Sequence, residues 1–223
     1  MLMRRYLGLF GLVFCLSATG ILRADILDSV AGLSGVCIYD STGTSCTPAG
    51  NTVAITPHPL WQSNNPSNPG ASDNSAVWIS YAPTGYGDST FVPYKGNIPV
   101  FALTQTFSAG IGETLRLHVW ADDTAGVYLD NVELMAPVFT QSVCSGQPIG
   151  CRSQDLGNFI VPLATAGTHT LRFDVYQVGT GSDTTSNPMG LLYTGAVPDG
   201  GVTLMLLGGV LVGIETLRRR FHV

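Results

Sequence analysis

The chain has 223 residues, with ten Lys and Arg against fifteen Asp and Glu and a formal charge of −5. That deficit of basic side chains excludes nucleic acid as a partner, because phosphate binding needs clustered Lys and Arg. With 27 Gly, 13 Pro and only 11% charged residues, the composition points to many turns and away from a helical bundle.

The first element reads as an export signal over residues 1–24. Arg4 and Arg5 form a positive start, residues 6–21 an apolar stretch, and Ala24 a small residue before a cleavage point. A cut after Gly20, with Ala18 three residues from the bond, is the alternative, and an uncleaved anchor is the other reading. The apolar stretch falls short of the ~20 residues that cross a bilayer comfortably. Phe14 before Cys15 is too bulky for a lipidation site.

Residues 25–196 then form one exported domain. Its basic residues are Lys95, Arg116, Arg152 and Arg172, opposed by thirteen acids, which leaves it at −9. Such a surface is compatible with calcium or with neutral sugars. Four cysteines remain: Cys37 and Cys46 lie close in sequence, as do Cys144 and Cys151. In an oxidising compartment two local disulfides are the natural reading, although three pairings are formally open. Zinc is the rival, and neither pair has CxxC spacing or a nearby His.

Along this domain no stretch has helical periodicity, whereas short alternating runs recur. Strands are predicted over 76–81, 100–107, 114–120 and 168–178. In the third, Leu115, Leu117 and Val119 share one face while Arg116, His118 and Trp120 share the other. In the fourth, Leu171, Phe173 and Val175 point inward, and Arg172, Asp174 and Tyr176 outward. Gly110-Ile111-Gly112 and Ala166-Gly167 supply turns, and residues 64–75 form the longest polar loop. The expected fold is all-β: an antiparallel β-sandwich, jelly-roll-like, with no second domain.

Two candidate sites follow. Between residues 120 and 131, Asp122, Asp123, Asp130 and Asn131 offer oxygen ligands near one predicted hairpin, the donor type that Ca²⁺ takes. Their alternative use is to cap turns. Trp61, Trp78, Trp120 and Tyr128, with Tyr81, Tyr86 and Tyr94 nearby, offer flat rings for stacking on sugars, or else they fill the core. His58, between Pro57 and Pro59, is read as a surface or packed residue. No Gly-x-Ser-x-Gly elbow, His-Glu-x-x-His or phosphate loop is present, so the domain is expected to be non-enzymatic. The alternatives are a purely structural matrix protein without a ligand and, after it, a glycan-active enzyme.

The run from Ala121 to Asp130 is similar to the Ala-Asp-Asp…Tyr-Leu-Asp segment of jelly-roll sugar-binding domains, including lectin-like domains related to anthrax protective antigen. That resemblance implies a Ca²⁺ gripping sugar hydroxyls. The end of the chain carries a second resemblance. Val197-Pro198-Asp199-Gly200-Gly201 precedes an apolar run over 202–217 and a basic stop at Arg218, Arg219 and Arg220. Residues 197–223 thus resemble the PEP-CTERM sorting signal, in a Val-Pro-Asp-Gly-Gly variant. The apolar run would cover about 24 Å as a helix, slightly less than a bilayer core. Basic residues flanking both spans put both ends in the cytoplasm and the domain outside. The resemblance implies processing by signal peptidase and exosortase and transient anchoring in the inner membrane. The destination it implies is the cell surface or the extracellular matrix of a Gram-negative bacterium, beside extracellular polysaccharide.

Overall fold

The computed structural model describes residues 25–72, 75–140 and 148–198, together with Val212, Ile214 and Arg218. Among these, twelve strands form two antiparallel six-stranded sheets. They are β1 (Asp25–Asp28), β2 (Val36–Tyr39), β3 (Cys46–Pro48), β4 (Val53–Ala54), β5 (Ile79–Ser80) and β6 (Phe101–Ala109). The second half holds β7 (Thr114–Asp122), β8 (Thr124–Leu129), β9 (Val132–Met135), β10 (Gly157–Pro162), β11 (Gly167–Tyr176) and β12 (Gly190–Val197). The first sheet runs β10-β7-β12-β5-β4, with β1 beside β12; the second runs β3-β2-β6-β11-β8-β9. From β6 onward the chain alternates between sheets, staying in one only for the β8–β9 hairpin. The all-β, antiparallel, two-sheet expectation therefore holds.

Period-two alternation builds the core. Leu115, Leu117 and Val119 of β7 and Leu171, Phe173 and Val175 of β11 are fully buried and meet between the sheets. Each such side chain contributes about 1.5–3 kcal/mol by leaving water. Phe173 and Tyr193 stack across the core with ring centroids 4.5 Å apart.

The strand expected over 76–81 shrinks to Ile79–Ser80. Here the backbone takes loop partners instead: Val77 donates to the Ser29 carbonyl, and Trp78 donates to Asn64 Oδ1. The strand expected over 168–178 stops at Tyr176, because the amides of Val178 and Gly179 turn to the Asp123 carboxylate. The outward face assigned to Trp120, Asp174 and Tyr176 also needs correction. All three are buried: Trp120 packs with Trp61 and Trp78, Asp174 is covered by the Arg172 and Tyr39 side chains, and Tyr176 by Phe139.

Cys37 and Cys46 are joined across the β2–β3 hairpin, with Cα atoms 5.5 Å apart. Cys151 is buried and disulfide-bonded, and Cys144 lies outside the described residues. Asp25–Val197 forms one compact unit. β12 is buried at every position, and its last residue, Val197, pairs with Asp25. Val197, the first residue of the proposed sorting motif, is thus the last residue of a core strand. Residues 1–24, Asp199, Gly200, Gly201, Arg219, Arg220 and most of 202–217 lie outside the described residues. Val212, Ile214 and Arg218 are helical, and among the described residues no helix is long and apolar enough to cross a membrane.

Candidate ligand-binding face

The three tryptophans do not form an open platform. Trp61, Trp78 and Trp120 are 7%, 0% and 3% exposed and form a second core on the outer side of the first sheet. Ile55, Leu192 and Cys151 complete that core. Trp61 and Trp78 lie with centroids 4.2 Å apart. The Trp78 indole donates to the Gln62 carbonyl at 2.7 Å, and the Trp61 indole to Asp122 Oδ2 at 2.8 Å. A run of chain from Ile55 to Trp78 thus seals the outer face of this sheet. Tyr86 and Tyr94 are exposed, but they sit on the loop over 83–96; Tyr86 meets His58 edge-on at 4.8 Å.

The four calcium candidates are divided between two places. β7 and β8 belong to different sheets, so Asp122 and Asp123 occupy a corner between sheets and not a hairpin turn. Asp130 and Asn131 form the β8–β9 turn at the far end of β8, roughly 20 Å away at the usual strand rise. Their φ values of 51° and 65° are those of a two-residue hairpin turn, which Asp and Asn tolerate well. No group of three or more His, Cys, Asp or Glu able to hold a metal exists among the described residues.

Each of these acids has a structural partner. Asp123 accepts the Val178 and Gly179 amides at 2.6 Å each. Burial, then the neighbouring Asp123 carboxylate, pushes Asp122 well above the usual carboxylate range, and burial raises Asp123 as well, against the two amides that lower it. Asp130 accepts from His169 Nδ1 at 2.7 Å and from the Thr170 amide at 2.8 Å. Burial opposes the ionised form of Asp130, but these hydrogen bonds prevail and lower its pKa.

The second sheet presents a different outer face. Arg172 and Asp174 of β11 point outward at adjacent same-face positions, between β6 and β8. Arg172 stands opposite Tyr128, and Asp174 opposite Gly126. The guanidinium carbon lies 4.3 Å from the centre of the Tyr128 ring, a cation–π arrangement that holds the group flat. Gly126 makes this possible, because a Cβ there would come within 3.1 Å of the Tyr128 ring. Asp174 receives Arg172 Nη2 and the Tyr39 hydroxyl, each at 3.3 Å. Tyr176 sits beside them, with Phe139 edge-on at 5.1 Å.

Burial raises Asp174, and Arg172 offsets part of that. Tyr39, Tyr128 and Tyr176 are all raised, chiefly by burial and then by Asp174, so all three phenols stay protonated. The result is a fixed carboxylate acceptor beside planar guanidinium donors, framed by phenol rings. Of the residues read as candidates in the sequence, only Tyr128 belongs to it. Tyr39, Arg172 and Asp174 were missed as ligand groups. The signal was present, because the alternation of β11 already put Arg172, Asp174 and Tyr176 on one face.

No family model matches the chain, and no curated protein matches it in sequence. Among solved structures, a Paenibacillus sp. cycloisomaltooligosaccharide glucanotransferase complexed with cycloisomaltoheptaose is similar at a TM-score of 0.34 and 12% identity. That match covers 78% of this chain and 18% of the enzyme. A β-glucosidase from Kluyveromyces marxianus is similar at a TM-score of 0.36 and 12% identity, over 86% of this chain and 22% of that one. The chain spans about a fifth of the length of these enzymes. At these scores none of them assigns an activity to it.

Proposed function

We propose that this is an exported, non-enzymatic protein of the cell envelope or extracellular matrix. In this reading its jelly-roll-like sandwich binds polysaccharide weakly through Tyr39, Tyr128, Arg172 and Asp174. The observation that carries the binding part is the Arg172–Asp174 pair held at 3.3 Å on the outer face of the second sheet, with Arg172 stacked on Tyr128. Neighbouring sugar hydroxyls offer a donor and an acceptor side by side, which matches a carboxylate next to a guanidinium, and phenol rings suit the apolar side of a pyranose. The Cys37–Cys46 disulfide and the two terminal signals support export, and sorting by exosortase accounts for the basic tail.

Titration calorimetry against a panel of soluble polysaccharides, including the host's own polymer, tests the binding part. Arg172→Ala should weaken binding about tenfold, the effect of losing one charge-assisted hydrogen-bonding group, with an unchanged circular-dichroism spectrum. Silence of the native protein across the panel would overturn the reading. Mass spectrometry of the mature ends tests the sorting part. Retention of Arg218, Arg219 and Arg220 in cells that hold the processing enzyme would refute it.

A further inference from the structure

The side of the sandwich where β9 and β10 lie is unlike the other edges. β10 pairs with β7 on one side and with nothing on the other among the described residues. Natural sheets protect such edges with charge, proline or shortness, because unpaired amides and carbonyls recruit other strands. The remaining edges follow that rule. β3 has three residues ending in Pro48, and β4 has two. β9 carries Glu133, and β1 carries Asp25. β10 has six residues, Gly157-Asn158-Phe159-Ile160-Val161-Pro162, none of them charged, and its proline stands only at the end.

A second observation lies beside this strand. A cleft of about 220 Å³ opens between the two sheet edges, walled mainly by Leu129, Val132 and Leu134 on one side and Val161, Pro162 and Leu163 on the other, with the mutually bonded Asp130 and His169 also lining it. Val132 is 65% exposed, and Ile160 of β10 is 60% exposed. An apolar slot and an unprotected strand edge therefore share one side of the domain.

We propose that β10 is a self-association edge at which two copies of this chain pair antiparallel. Charge argues for a second copy at this place. The domain carries −9, so most approaches between copies bring acid against acid, whereas β10 meets its counterpart without that repulsion. A two-fold axis perpendicular to the sheet joins the first sheets of two copies into one. It also keeps both sandwich interiors on the same side, so the two clefts open onto each other and their apolar walls are covered. Six residues of pairing bury less than the ~1,600 Å² of a standard stable interface, so the contact is weak and acts where copies are crowded.

Cysteine cross-linking in the full-length chain tests this. Ile160→Cys, treated with a mild oxidant after export, should give a reducible dimer. Leu60→Cys, on a loop and 51% exposed, is the matched control and should give far less. Adding Asn158→Lys to Ile160→Cys places like charges at the joint and should lower the dimer yield about tenfold. Asn158 is exposed, so this change leaves the core intact. The inference fails if Ile160→Cys cross-links no better than Leu60→Cys, or if Asn158→Lys leaves the yield unchanged.

Discussion

The buried carboxyl pair at the β7–β8 corner gives the sharpest test of the fold's energetics. Asp122 accepts the Trp61 indole at 2.8 Å, and Asp123 accepts two amides at 2.6 Å. Because its folded pKa is raised, Asp122 stabilises the fold fully below its unfolded value, near pH ~3.9. That contribution is lost as pH rises through the folded value, since the native state then holds a proton that the unfolded chain has released. Asp122→Asn removes this titration. Its carbonyl still accepts from Trp61, and its amide donates to Asp123. Asp122→Ala leaves the Trp61 N–H buried without a partner, which costs about 1–3 kcal/mol. In a domain of this size each kcal/mol shifts Tm by roughly 2–4 °C, so a fall of about 2–12 °C is expected. Calorimetric melting at acid and mildly alkaline pH separates the two variants. Asp122→Asn should gain on the native protein as pH rises. Asp40, Asp130 and Asp183 have lowered pKa values and lose their contribution in acid, but they do so equally in both proteins. The reasoning is refuted if Asp122→Asn follows the native pH dependence or melts as low as Asp122→Ala.

Replacing both Cys37 and Cys46 by Ser opens a bridge of sequence separation 9 and should cost about 2–3 kcal/mol in urea unfolding. An unchanged midpoint would place the hairpin's stability elsewhere. Gly32 and Gly35 both have φ of +89°, yet only at Gly35 would a Cβ collide, with the Thr104 carbonyl oxygen on β6. Gly32→Ala should cost ~1 kcal/mol, for strain alone, and Gly35→Ala more than ~2 kcal/mol. Equal melting temperatures for the two would refute the close approach between β2 and β6.

The sequence made the inner faces of the long strands readable. Leu115, Leu117 and Val119, like Leu171, Phe173 and Val175, alternate with polar residues, and a sheet with one buried face has no other arrangement. The outer faces could not be read in the same way. Whether Trp120 meets solvent depends on where residues 55–78 travel, and that path rests on long-range hydrogen bonds such as Trp61 to Asp122 and Val77 to Ser29. A strand shows its own period but not the loop that will lie across it. The same limit misplaced the calcium candidates. Asp122-Asp123 followed by Asp130-Asn131 reads as a hairpin only if β7 and β8 pair, and local sequence does not distinguish a hairpin from an arch between sheets.

The use made of the acids follows from their scarcity of partners. With four basic residues in the domain, thirteen carboxylates cannot be neutralised by salt bridges. Arg172 pairs with Asp174, and Asp130 accepts from the His169 ring. Several other acids turn to the backbone and to hydroxyls. Asp183 binds the Thr185 and Ser186 amides and hydroxyls and is lowered to about 2. Asp88 holds Thr56 and Gly85, and the buried Asp28 takes Ser75, Asn68 and Thr194. An amide or hydroxyl dipole can neutralise a carboxylate where no cation is available, and it fixes a loop at the same time. In a turn-rich chain with few lysines, acidic residues near Gly and Ser are therefore spent on loop geometry first. Asp174, itself buried, stands apart because Arg172 and Tyr39, two side chains on the outer side of its sheet, cover it. Its Arg172 and Tyr39 contacts, at 3.3 Å, are longer than the 2.6 Å bonds of Asp123. Those longer bonds are the weaker ones, so in the proposed binding a sugar hydroxyl would compete with them more readily than with the short bonds that hold Asp123.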